Sequence, residues 1–146
     1  DVTAASGAPL RKLQAARGAA FGDLNNDGFV DIVINCNNAP PLVLENSADN
    51  GNHWLLVNTI GTVSNRDGIG ARIRIILPDG RRQYAIVSTA SSYLSSSDKR
   101  VHFGLGSERS VTLLEITWPS GIVQRLKNVP ADRLLTVREP SSSPAP

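Results

Sequence analysis

The sequence has little of what usually staples a small domain or arms an active site. It contains one cysteine, Cys36, and no methionine. A lone thiol forms no internal disulfide and is no metal site, so Cys36 is expected as a small buried apolar residue at a strand end. Aromatic residues make up only 5% of the chain, so the large rings are expected to serve the core first, Trp54 above all. The formal net charge is +2, too weak a surplus to argue for nucleic acid. No apolar run approaches the ~20 residues that a membrane helix needs, which excludes helical membrane insertion. No basic segment leads into an apolar one, so no signal peptide is read. A chain that starts at Asp1 without methionine reads as an excised domain or a processed product. Where the parent protein goes is therefore left open by that absence.

What is present suits a β-protein. Hydrophobic residues make up 40% of 146 residues, enough for one domain, or for one domain plus a fragment of a neighbour. Short β-branched or alternating runs predict strands at 29–35, 42–44, 53–57, 71–75, 81–89, 101–105, 111–118, 122–126 and 134–137. Leu77-Pro78-Asp79-Gly80 and Pro119-Ser120-Gly121 read as turns, since proline presets φ and glycine supplies a left-handed residue. Residues 1–20 show no clear period, and Ser91–Ser97 reads as a flexible surface loop. The one helix candidate is a short turn near Pro130–Arg133. The expected fold class is all-β, an antiparallel β-sandwich or barrel, with a boundary near 46–52 and a Pro/Ser tail at 140–146.

The most specific motif is Asp23-Leu24-Asn25-Asn26-Asp27-Gly28-Phe29-Val30-Asp31. Asp23, Asn25, Asp27 and Asp31 stand at loop positions one, three, five and nine, and Gly28 stands at six. Alternate residues of a tight loop can turn their oxygens to one centre, which suits Ca²⁺, a hard cation that takes six to eight oxygens at about 2.3–2.6 Å. The Phe29 carbonyl can add a ligand, and Gly28 permits the bend. This is not an EF-hand, because position twelve is Ile34 and a strand follows. The absence of His and Cys from the loop disfavours Zn²⁺. The competing reading is an Asx-rich turn without metal, in which three carboxylates repel one another.

Residues 17–32 resemble an FG-GAP/VCBS repeat, the blade unit of integrin-like β-propellers. That resemblance implies a Ca²⁺ site with Asp23, Asn25, Asp27 and Asp31 as side-chain ligands and Phe29 as a carbonyl ligand. The remainder resembles the ASPIC/UnbV domain, which follows such repeats in large secreted proteins. The matching stretches are 51–55, 64–71, 92–95, 101–106, 118–121 and 129–131. The implied layout is a propeller-blade-like repeat fragment at 1–50 and an ASPIC/UnbV-like β domain at 51–139. One blade cannot close a propeller, so residues 1–50 either pack on the second module or belong with neighbouring propeller repeats.

Other candidates carry less. Asn65 and Asp67, in a loop with two glycines, admit a second cation or a sugar hydroxyl, or simply a turn. Arg72 and Arg74 share one strand face; with Tyr93 and Trp118 they form a candidate ligand surface for an acidic glycan, against a solvated sheet face. Trp118 sits at a strand end, where exposure is feasible. The serines near His102 lack a Gly-x-Ser-x-Gly turn, so hydrolase chemistry is not expected. The reading at this stage is a non-catalytic, extracellular or cell-surface module that binds Ca²⁺ and meets an unidentified protein or glycan. The alternatives are a carbohydrate-binding module or a structural cap on a propeller.

Overall fold

The computed structural model describes residues 7–11, 15–47 and 50–141; the expected Pro/Ser tail lies outside them from residue 142 onward. Among the described residues, after a 3₁₀ turn at Ala8–Arg11, ten strands follow in chain order. They are β1 Ala16–Gly22, β2 Asp31–Cys36, β3 Leu42–Leu44, β4 His53–Ile60, β5 Arg72–Ile76, β6 Arg82–Ile86, β7 Val101–Gly106, β8 Ser110–Thr117, β9 Val123–Pro130 and β10 Arg133–Arg138. Three sheets form, ordered β1-β2-β3, β10-β4-β7 and β6-β5-β8-β9. The chain is all-β, and the second and third sheets make a β-sandwich without a closed barrel.

Burial explains the sequence patterns. β5 and β8 cover one face only, so they alternate: Ile73, Ile75, Leu114 and Ile116 are buried, while Arg72, Arg74, Glu115 and Thr117 point the other way. β4 is the middle strand of its sheet and is covered on both faces. Leu55 and Val57 enter the sandwich core with Phe103 and Leu105 of β7, and Leu56 is buried on the opposite side. That is why its apolar run is continuous rather than alternating.

Several expectations need correcting. β1 is an additional strand, in a stretch that shows no period. The sandwich is not wholly antiparallel, because β10 runs parallel to β4, from Arg133 opposite Leu55 to Arg138 opposite Ile60. No helix forms at Pro130–Arg133. Ala131 N donates to Arg109 O and Asp132 N to Trp54 O, with Asp132 at a φ of 56°, so the chain switches sheets in a tight bend. The strand expected at 81–89 ends at Ile86. The 91–97 segment is not a free loop but lies along β1: Asp98 N donates to Phe21 O, Phe21 N to Ser97 Oγ, and Ser91 Oγ to Ala19 O.

Trp118 is also corrected: it is 2% exposed and belongs to the sandwich core. Its Nε1 donates to Gln124 Oε1 at 3.1 Å. Trp118→Phe is expected to cost about 2 kcal/mol, from lost volume and an unsatisfied Gln124. Urea unfolding of the two proteins checks this.

Candidate functional site

The acidic loop joins β1 to β2 and is folded by its own side chains. Asp23 Oδ1 and Oδ2 accept from the N–H groups of Asp27 (3.1 Å) and Gly28 (2.9 Å). Asp31 Oδ2 and Oδ1 accept from Leu24 N (2.9 Å) and Asn46 N (2.8 Å). Asn25 Oδ1 accepts from Asp27 N, and Asp27 Oδ1 accepts from Phe29 N at 2.8 Å. Asn25 Nδ2 donates to Asp27 Oδ2 at 2.8 Å. Such Asx contacts are what these residue types make in tight turns.

Asp23 and Asp31 are buried, at 2% and 1% exposure, and among the described residues no basic side chain lies on either carboxylate. Each accepts only one N–H group per oxygen, which leaves a buried charge short of full satisfaction. The oxygen-only donor set suits a hard cation in kind, and an ionised carboxylate keeps further lone pairs beside each N–H contact. In arrangement the loop is closed on its own backbone: among the described residues no three His, Cys, Asp or Glu side chains converge to hold a metal ion.

The loop sits on the second sheet through contacts that sequence reading missed. Gly28 lies against the Trp54 ring, where a Cβ would come within 1.9 Å of Cε2. Trp54 stacks on His102, with ring centroids 6.3 Å apart and an interplanar angle of 12°. His102 Nε2 meets Gly28 O at 2.7 Å. Arg100 donates to Asp23 O (2.6 Å) and Asn26 Oδ1 (2.5 Å), and its Nε is fixed by Asp98 Oδ2 at 2.6 Å. The only hint of this was the charged run Asp98-Lys99-Arg100 ahead of β7. Trp54 is thus a half-buried seat for the loop rather than a residue of the sandwich core. Cys36 is buried and free, as expected.

The second polar loop uses its side chains internally. Asn65 Oδ1 accepts from Asp67 N and Ile69 N, and Asn65 Nδ2 donates to Ile69 O at 2.8 Å. Asp67 pairs with Lys99, whose hydrogen bond holds the carboxyl below its usual range. His53 Nδ1 meets Asp132 Oδ2 at 2.7 Å, so neither histidine ring is turned to the serine segment through these nitrogens.

The proposed ligand surface is not assembled as expected. Arg72 and Arg74 lie on the outer face of the third sheet. Tyr93 is exposed, but its carbonyl lies near Gly18 of β1, and Trp118 is in the core.

One further cluster had no sequence signal. Glu139 is 2% exposed. Its Oε2 accepts from the N–H groups of Thr62, Val63 and Ser64, and its Oε1 from the hydroxyls of Ser64 and Ser120. Burial pushes the carboxyl up, but the Ser120 hydroxyl, the Ser64 and Thr62 N–H groups and the Ser64 hydroxyl outweigh it and hold the group at about 2. The arrangement ties the chain after β10 to the loop after β4.

The family model for ASPIC and UnbV matches residues 61–144. The chain is 29% identical over 110 residues to cartilage acidic protein 1 of Xenopus tropicalis, 28% to that of Homo sapiens and 27% to that of Mus musculus. Each alignment covers 71% of this chain and 16% of the relative, so the chain spans about a sixth of their length. With more than half of its residues matched, the chain belongs to the ASPIC and UnbV family.

Proposed function

We propose that this chain is a non-catalytic, calcium-binding interaction module of a larger extracellular protein. The observation that carries the calcium reading is the pair of buried carboxylates, Asp23 and Asp31, with no basic side chain on either among the described residues. Asp23, Asn25, Asp27 and Asp31, with the Phe29 carbonyl, are the residues that would hold the ion, as in an FG-GAP/VCBS repeat. The bound ion would supply the positive charge that the three carboxylates of the loop lack. The extracellular setting is supported by the resemblance to secreted repeat proteins and by the cartilage in the relatives' name. The carbohydrate-binding alternative needs Trp118, Tyr93 and Arg72/Arg74 to be contiguous, and Trp118 is buried.

The test is calorimetric titration with Ca²⁺, with thermal melts in Ca²⁺ and in chelator, on wild type and Asp27→Ala. Asp27 is exposed, so its loss leaves the core intact. Binding is expected to stabilise the wild type by about 2.7 kcal/mol at a hundredfold excess over Kd, and Asp27→Ala is expected to abolish both heat and stabilisation. Absence of heat and of stabilisation in the wild type would leave the loop as a bare Asx turn and defeat the calcium reading.

A further inference from the structure

The outer face of the third sheet is a basic surface with an apolar floor. Register places its side chains in three rows across β6, β5, β8 and β9. The first row is Ile86, Arg72, Thr117 and Val123; the second is Tyr84, Arg74, Glu115 and Arg125; the third is Arg82, Ile76, Leu113 and Lys127. Tyr84 is 66% exposed and Ile86 61%. With Arg72, Arg74 and Thr117 they border an open depression of about 700 Å³.

Charge on this face is unbalanced. Five basic residues share it with one acid, Glu115. Glu115 is spent on Arg74 (3.0 Å) and Arg125 (2.7 Å). Arg72, Arg82 and Lys127 have no acidic partner among the described residues. Arg74 Nε is the single buried side-chain polar atom without a hydrogen-bond partner among the described residues. The whole chain carries only +2, so this face is more basic than the molecule that bears it.

We propose that this face docks an acidic polypeptide segment that also carries apolar side chains. Carboxylates would pair with Arg72 and Arg82, where planar bidentate recognition is available. An apolar side chain would fill the depression against Tyr84 and Ile86. The apolar floor favours a peptide over a sulfated glycan, which would use the charges and leave Tyr84 and Ile86 uncovered. Two copies of this chain meeting face to face would oppose like charges. The proposal rests on the interaction-module reading but not on the calcium loop, so the two fail separately.

The experiment is fluorescence polarisation with a labelled peptide of alternating glutamate and leucine. The comparators are a glutamine-for-glutamate peptide, an all-glutamate peptide and a heparin octasaccharide. Wild-type chain is expected to bind the acidic-apolar peptide about tenfold or more tightly than any comparator. Arg72→Glu and the double variant Tyr84→Ser/Ile86→Ser, checked by melting to be folded, are each expected to weaken it at least about tenfold. No binding overturns the proposal. Equal or tighter binding of the octasaccharide or the all-glutamate peptide, untouched by the Tyr84→Ser/Ile86→Ser change, overturns it in favour of a polyanion surface. Concentration-dependent dimerisation abolished by Arg72→Glu overturns it in favour of a second copy.

Discussion

Glu139→Ala is expected to destabilise the protein by on the order of 3 kcal/mol at neutral pH. The change strips a buried carboxylate of five hydrogen bonds and leaves the Thr62, Val63 and Ser64 N–H groups facing a void. Charged acceptors are worth more than neutral ones, and unmade bonds cost the desolvation of the groups left behind. Glu139→Gln keeps the shape but lacks the charge, so it separates packing from electrostatics.

The same group sets a pH dependence. Its folded value of about 2 lies below the ordinary 4.5, so the unfolded chain binds the proton more readily. The stabilisation is therefore complete above pH ~4.5 and is lost as pH falls toward about 2. Asp67 and Asp79, held low by Lys99 and Arg81, act in the same direction from the exposed surface. Urea unfolding at pH 7, 4 and 2.5 is expected to show the gap between wild type and Glu139→Gln shrinking in acid. An equal gap at all three values would mean that the charge is not what holds the loop.

Much of the sandwich was legible because its periodicities are produced by burial. The alternation of Ala71–Ile75 marks a sheet with one wet face, and the continuous run at Trp54–Val57 marks a strand covered twice. β1 was not legible: Arg17-Gly18-Ala19-Ala20 has no β-branched residue. Gly18 is small because the Tyr93 carbonyl and Ser95 hydroxyl approach within 2.5 and 2.2 Å of where a Cβ would stand. Such a contact joins segments far apart in sequence and leaves no local trace. Trp118 was misplaced for a different reason. Its neighbourhood to a turn suggested exposure, but it continues the inward parity of Leu114 and Ile116, and that parity was the better signal. The Asx loop was legible as a loop, because Asp, Asn and Gly at alternate positions favour local hydrogen bonds whatever packs outside. The seat beneath it was not, since Trp54, Arg100 and His102 come from two strands and a loop with no motif in common.

That seat makes Gly28→Ala a strongly damaging change in the loop between β1 and β2. Gly28 has a φ of +93°, a region that costs other residues about 1–3 kcal/mol. The new Cβ would also lie 1.9 and 2.0 Å from Trp54 Cε2 and Nε1, and overpacking adds about 1–3 kcal/mol more. The expected total is about 4 kcal/mol. Trp54 cannot simply swing aside, because it stacks on His102, which in turn holds the Gly28 carbonyl. Lifting the loop instead surrenders the His102 and Arg100 contacts together. The damage should be local. The sandwich core uses Leu55 and Val57 on the far side of β4, so it can stay closed while β1–β3 detach. Hydrogen exchange of Gly28→Ala is expected to accelerate in β1 and β2 and to leave β5 and β8 protected. A double-mutant cycle isolates the cause. With Trp54→Ala the overlap disappears, so Gly28→Ala should cost only its backbone strain, and the two changes should be less than additive by about 2 kcal/mol. Strict additivity would mean that Trp54 is not what the new methyl meets, and that the loop is held to the second sheet by Arg100 and His102 alone.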